Sequence, residues 1–185
     1  MTRVLVVLLG VLFPGSIWAV EVEGVKLPDQ VQLGGESLTL NGAGVRSKFI
    51  FDIYVGALYL TSRTGDAGSA ITMKGPKRVS MHFLYDEVSA EKLASGWSEG
   101  FEKNQSDASM AELHSRLETF NAMFPTVHEG DVISIDFLPG STKVFVCGEK
   151  MGEVPGEDFQ RALLAVWLGD KPADGGLKKA MLGGK

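Results

Sequence analysis

One cysteine, three histidines and no dense run of Lys or Arg occur in the 185 residues. Each scarcity removes a class of protein. A lone Cys147 cannot form an internal disulfide, so stability must come from packing. Lying after the apolar run Val144-Phe145-Val146, it reads as a small buried hydrophobe rather than a nucleophile. His82, His114 and His128 stand far apart without an i, i+4 pair, which gives no metal-ligand spacing and reads as structural or surface histidine. A net charge of −5 with scattered cations argues against nucleic acid as a partner. No G-x-S-x-G elbow, phosphate loop or paired catalytic carboxylates is present, and no cofactor is implied. Neither an internal repeat nor a low-complexity linker suggests a second domain.

Long apolar runs are also absent, except one. Arg3 precedes Val4–Phe13, which is followed by Pro14-Gly15 and then Ile17-Trp18-Ala19. This is the pattern of a secretory signal peptide over residues 1–19, cleaved after Ala19. Ten residues are too few to span a bilayer core of about 30 Å, so no stable membrane anchor is expected after cleavage. Arg3 would leave with the leader, taking the net charge from −5 to −6. The expected product is a single domain, residues 20–185, in a bacterial periplasm or secreted.

What remains alternates between two periods. Short strands are expected at Val20–Val25, Gln30–Leu33 and Leu38–Leu40, with Asn41-Gly42 as a tight turn. A long strand follows, in which Phe49, Phe51, Ile53 and Val55 alternate with Lys48, Ile50, Asp52 and Tyr54. Ile71–Lys74 and Lys77–Tyr85 continue the strand pattern. The spacing then predicts a helix capped by Ser89, with Ala90, Leu93, Trp97 and Phe101 on one side. A second helix is expected from a capping box at Ser109 and Glu112, with Leu113, Leu117, Phe120 and Phe124 as its stripe, and Pro125 stops it. Asp131–Leu138 and Thr142–Cys147 form a hairpin, and Gly148–Gly152 is expected to turn into a short Glu153-Val154 extension. Gly156–Leu168 is a third helix with Gly169 as its C-cap, and Leu177–Leu182 a short fourth. Strands, then helices, then strands, then a helix exclude a doubly wound fold. They suit an α+β fold, a large antiparallel sheet with helices gathered on one face.

Arg46, just beyond the Gly-rich segment, is the one residue whose chemistry stands out. A guanidinium there can hold a carboxylate or enolate-like oxygen through paired N–H donors, with hydroxyls from Tyr54 and Tyr59 assisting. The plainer alternative is a solvent-facing arginine paired with a carboxylate such as Asp52.

The segments L-T-L-N-G-A-G-V-R-S-K-F and D-I-Y-V-G-A-L-Y-L resemble the core of the chalcone isomerase family, particularly its bacterial chalcone isomerase-like branch. V-S-A-E-K-L, the D-V-I-S-I-D-F-L-P-G hairpin and the G-E-D-F-Q-R-A-L-L-A-V-W-L-G-D helix continue the resemblance in order. It implies an open-faced β-sandwich, with a ligand cleft between the sheet and a layer of helices. The family includes intramolecular lyases that close chalcones, and fatty-acid-binding members. Arg46 is similar to the family arginine that contacts the flavanone oxygen or a fatty-acid carboxylate; if this chain is an enzyme, Arg46 is its catalytic candidate. Tyr54 falls where the fatty-acid binders have tyrosine. The enzymes' helical tyrosine and asparagine fall near Ser89 and Gly96, and their C-terminal hydroxyl residue near Asp174. The resemblance therefore favours binding of an apolar small molecule bearing a carboxylate or phenolate. The alternatives are an isomerase acting on an enone, or an envelope structural protein without a small ligand. On one straight strand Arg46 and Tyr54 would lie about 26 Å apart at roughly 3.3 Å per residue, so sharing a ligand requires the chain to bend between them.

Overall fold

The computed structural model describes residues 19–184, so the expected leader lies, Ala19 apart, outside the described residues. In chain order the strands are β1 (Ala19–Val22), β2 (Val25–Pro28), β3 (Gln30–Leu33), β4 (Glu36–Lys48) and β5 (Phe51–Leu60). Helix α1 (Ala67–Thr72) precedes β6 (Lys77–Phe83) and the two-residue β7 (Glu87–Val88). The helical pair α2 (Ala90–Asn104) and α3 (Asp107–Asn121) leads to β8 (Val127–His128), β9 (Val132–Leu138), β10 (Ser141–Val146) and β11 (Glu149–Pro155). Helices α4 (Glu157–Leu168) and α5 (Gly175–Met181) close the fold. Seven strands make one antiparallel sheet in the order β11-β10-β9-β6-β5-β4-β3.

The period-2 pattern gives this sheet two faces. Val79, Met81 and Phe83 of β6 and Ile133, Ile135 and Phe137 of β9 are buried under the helices, where Trp97, Phe101, Leu117, Phe120 and Trp167 meet them. The opposite face carries a smaller cluster, Leu27, Leu38, Leu40, Val55, Ala57 and Tyr59, covered by the β1–β2 hairpin. The expected α+β sheet with helices on one side is therefore the observed architecture.

Several boundaries differ from the sequence expectation, each for a local reason. Val20–Val25 is not one strand but two, folded at Glu23-Gly24, both with positive φ. Ile71–Lys74 is not extended; Asp66 accepts from the Ser69 amide and caps α1 there. The second long helix starts earlier than the Ser109 box, because the Ser106 hydroxyl takes the Ser109 amide. Positive φ at Cys147 and Gly148 makes a two-residue turn, so β11 is a full strand rather than a short extension. Cys147 is consequently exposed, with its thiol on the Asp131 carboxylate, and not a core residue.

Asn41-Gly42 is not a turn either. The chain runs straight through it, and the turn lies at Phe49-Ile50. Gly42, Gly44 and Gly56 instead form a flat patch on which α5 rests. A Cβ at Gly42 would overlap the Ala180 carbonyl oxygen, and one at Gly56 would come within 2.9 Å of the Met181 side chain. Asn41 fastens the arrangement: its Nδ2 donates to the carbonyls of Thr64 (3.0 Å) and Met181 (2.7 Å), and its Oδ1 accepts from the Thr64 amide. Gly42→Ala should therefore cost about 2 kcal/mol through overpacking. Gly96→Ala, where a Cβ meets nothing within 4 Å inside α2, should gain about 0.5–1 kcal/mol. Urea midpoints at constant m-value measure both.

Candidate ligand-binding site

The β4–β5 ladder decides where Arg46 points. Leu40 stands opposite Tyr59, but Gly42 stands opposite Leu58, leaving Asn41 as an extra residue on β4. Such a bulge shifts the alternation by one. Leu38 and Leu40 consequently face the β1–β2 side, whereas Gly42, Gly44 and Arg46 face the helices. Arg46 then lies directly across from Tyr54 on the neighbouring strand. Tight reversal at Phe49-Ile50, not a bend in one strand, brings together two residues that a straight strand would hold far apart.

The guanidinium carbon of Arg46 lies 5.6 Å from the centre of the Tyr54 ring. Its Nε is buried and has no hydrogen-bond partner, and among the described residues Arg46 enters no ion pair. Asp52, the expected partner, instead accepts from the Ser47 hydroxyl at 2.6 Å. Arg78 provides the contrast. Its Nε and Nη2 donate to the two carboxylate oxygens of Asp136 at 2.5 and 2.7 Å, and Asp136 is only 2% exposed. Arg78 is a paired structural cation, and Arg46 is not.

Tyr54 is 2% exposed, and its oxygen accepts from Trp167 Nε1 at 2.9 Å, which leaves its own hydroxyl proton free to donate. Burial raises the phenol's pKa above its usual value, while the Arg46 charge and the Trp167 bond act in the opposite direction. A third donor comes from α2: Trp97 is 4% exposed, and its buried Nε1–H has no partner. Arg46, Tyr54 and Trp97 line one cavity of about 50 Å³ between the sheet and α2. Trp97 packs at 5.3–5.5 Å from Phe120, Phe124 and Trp167, and these rings fill the space behind it. From Arg46 a wider groove of about 420 Å³ continues outward along Phe51, Ile53, Tyr85 and Val88.

Tyr59 does not join this site. It belongs to the cluster on the opposite face, beside Arg78, where burial pushes its phenol up to about 12. Asp174 caps α5 through the Leu177 amide and accepts from the Ser47 amide, so it stays beside Arg46 without pairing with it. Gly96 lines the cavity and supplies no side chain. His82 is half-buried and the other two histidines are exposed; among the described residues no group of three His, Cys, Asp or Glu could hold a metal. No helix among them is long and apolar enough to cross a membrane. Trp97 and Trp167 escaped the sequence reading because helical spacing assigned both to packing, which they also perform. The indole N–H of each was the available signal.

A curled antiparallel sheet, a helix layer and a cation at the cleft between them define an open-faced β-sandwich. A family model described as chalcone isomerase-like matches residues 19–183, and the chain belongs to that family. Among solved structures, a fatty-acid binding protein of Arabidopsis thaliana superposes with a TM-score of 0.67 at 16% identity, covering 86% of this chain and 92% of that one. A search among curated protein sequences found no match.

The two arginines should respond oppositely to neutralisation. Arg78→Met leaves the Asp136 carboxylate buried and unpaired, and should cost about 3–5 kcal/mol. Arg46→Met strands no partner, and should leave the urea midpoint of the ligand-free protein unchanged or higher.

Proposed function

We propose that this protein binds an apolar small molecule through an anionic head, a carboxylate or phenolate, anchored by Arg46 with Tyr54 and Trp97 donating beside it. One observation carries the reading: a buried guanidinium nitrogen of Arg46 stands without a hydrogen-bond partner, and its side chain in no ion pair among the described residues, at the base of an open groove. A buried N–H without an acceptor is costly, and a ligand oxygen relieves that cost. Arg46 Nε–H, Tyr54 O–H and Trp97 Nε1–H are all donors, which suits an acceptor-only head. The fatty-acid binding protein named above shares the fold and supports the same ligand chemistry. Because aromatic rings fill the interior, the tail lies in the outer groove along Phe51, Ile53 and Val88 rather than in the core.

The isomerase alternative has less to work with at this wall. Gly96 offers no polar group where the family's enzymes place an asparagine, and Ser89 is engaged in capping α2. Export belongs to the same proposal: the apolar run Val4–Phe13 and Ile17-Trp18-Ala19 support removal of residues 1–19, and N-terminal sequencing of the mature protein tests it.

Titration with a fluorescent fatty acid tests the ligand reading. Arg46→Ala should abolish binding, and Tyr54→Phe and Trp97→Phe should each weaken it. A charge-assisted hydrogen bond contributes about 1.5–3 kcal/mol, so the corresponding fatty alcohol should bind roughly ten- to a hundredfold more weakly. Equal affinity of the wild type and Arg46→Ala refutes the anchor.

A further inference from the structure

The β4–β5 turn presents three consecutive large apolar residues to solvent: Phe49 is 92% exposed, Ile50 88% and Phe51 49%. Phe51 is partly supported by an edge-on contact with Tyr85 at 5.5 Å. Phe49 and Ile50 have no such cover. Phe49 also holds φ 58°, in the left-handed region, at a position of a two-residue hairpin turn where glycine is usual. A bulky aromatic residue in that conformation is strained, and its ring stands almost wholly in solvent. Folding alone gives no reason for the residue.

We propose that this tip inserts into the apolar layer of a lipid bilayer. Phe49 and Ile50 stand almost wholly in solvent at the end of the hairpin, with Phe51 half-exposed behind them. A short apolar projection matches an isotropic medium such as hydrocarbon better than the shaped surface of a protein. Three residues are also far fewer than the roughly 20–30 a side that a stable protein interface engages. Phenylalanine and isoleucine suit the boundary between headgroups and acyl chains. Charge around the mouth is balanced: Arg46, Lys48 and Lys92 alternate with Glu87, Glu91 and Glu99. That balance complements zwitterionic headgroups and requires no anionic lipid. Phe49 and Phe51 also line the groove that ends at Arg46, so the inserted tip would open that groove onto the lipid phase.

Flotation of the mature chain with phosphatidylcholine vesicles tests this. The wild type should float, equally well with phosphatidylglycerol added and in high salt. Ile50→Asp should reduce the bound fraction at least tenfold. Phe49→Asn should also reduce it, while raising the melting midpoint because asparagine tolerates left-handed φ. Ile50→Asp should keep its affinity for fatty acid in solution, and Arg46→Ala should float like the wild type; failure of the ligand reading therefore leaves this test standing. Wild type that stays with the unbound fraction, or variants that float equally, would overturn the proposal. So would a dimer in sedimentation velocity that Ile50→Asp dissolves, since the tip would then belong to a second copy.

Discussion

Between Leu40 and Gly42 the β4–β5 ladder carries one residue more on β4 than on β5. Because strand side chains alternate with a period of two, that residue transfers everything after it to the other face. Without the bulge Arg46 would share the outer face with Leu38 and Leu40. With it, Arg46 enters the cleft beneath α2 and meets Tyr54 across the ladder. The same residue that makes the bulge holds it in place. Asn41 is 7% exposed, and both ends of its amide are satisfied by the backbone of Thr64 and Met181. Its glycine neighbours then give α5 a floor without side chains, and the α5 cap, Asp174, reaches the Ser47 amide next to Arg46. Bulge, helix and cation form one mechanical unit.

The energetics of the cleft follow from what Arg46 lacks. A buried guanidinium N–H without an acceptor is unfavourable, and Arg78 avoids that state through Asp136. The cation–ring contact with Tyr54 offsets part of that cost. Around the cation the packing is dense: Trp97, Trp167, Phe120 and Phe124 interlock at ring separations of 4.9–5.5 Å. Dense packing stabilises the helix layer and also sets the size of the cavity.

Much of the fold was legible because it rests on local signals. Apolar spacing placed α2, α3 and α4, and alternation placed β6, β9 and β10 with their hairpin. The errors cluster where a short-range rule met a longer-range demand. Asn41-Gly42 carries turn chemistry, yet these residues serve a bulge and a helix contact whose partner is 140 positions away. Phe49 has strand propensity, yet it takes a left-handed turn conformation that its type disfavours. Cys147 follows an apolar strand, but the next hairpin begins one residue earlier than the pattern suggested and carries the thiol to the surface. Tyr59 has the right chemistry and sits one strand from Arg46, but its parity places it on the wrong side of the sheet.

By itself the sequence determined the inventory: an antiparallel sheet with helices on one face, dependence on packing instead of disulfides, and an arginine in a motif that resembles a ligand-binding family. Those properties are encoded in composition, periodicity and short motifs. Only the tertiary structure decided which side of the sheet Arg46 occupies, that its neighbour across the ladder is Tyr54, that the Trp97 N–H is left unpartnered beside it and that, among the described residues, no carboxylate forms an ion pair with it. The physical reason is that each depends on register. A single extra residue in a strand reverses its faces, and whether a polar atom is satisfied is set by neighbours that the chain brings close only on folding.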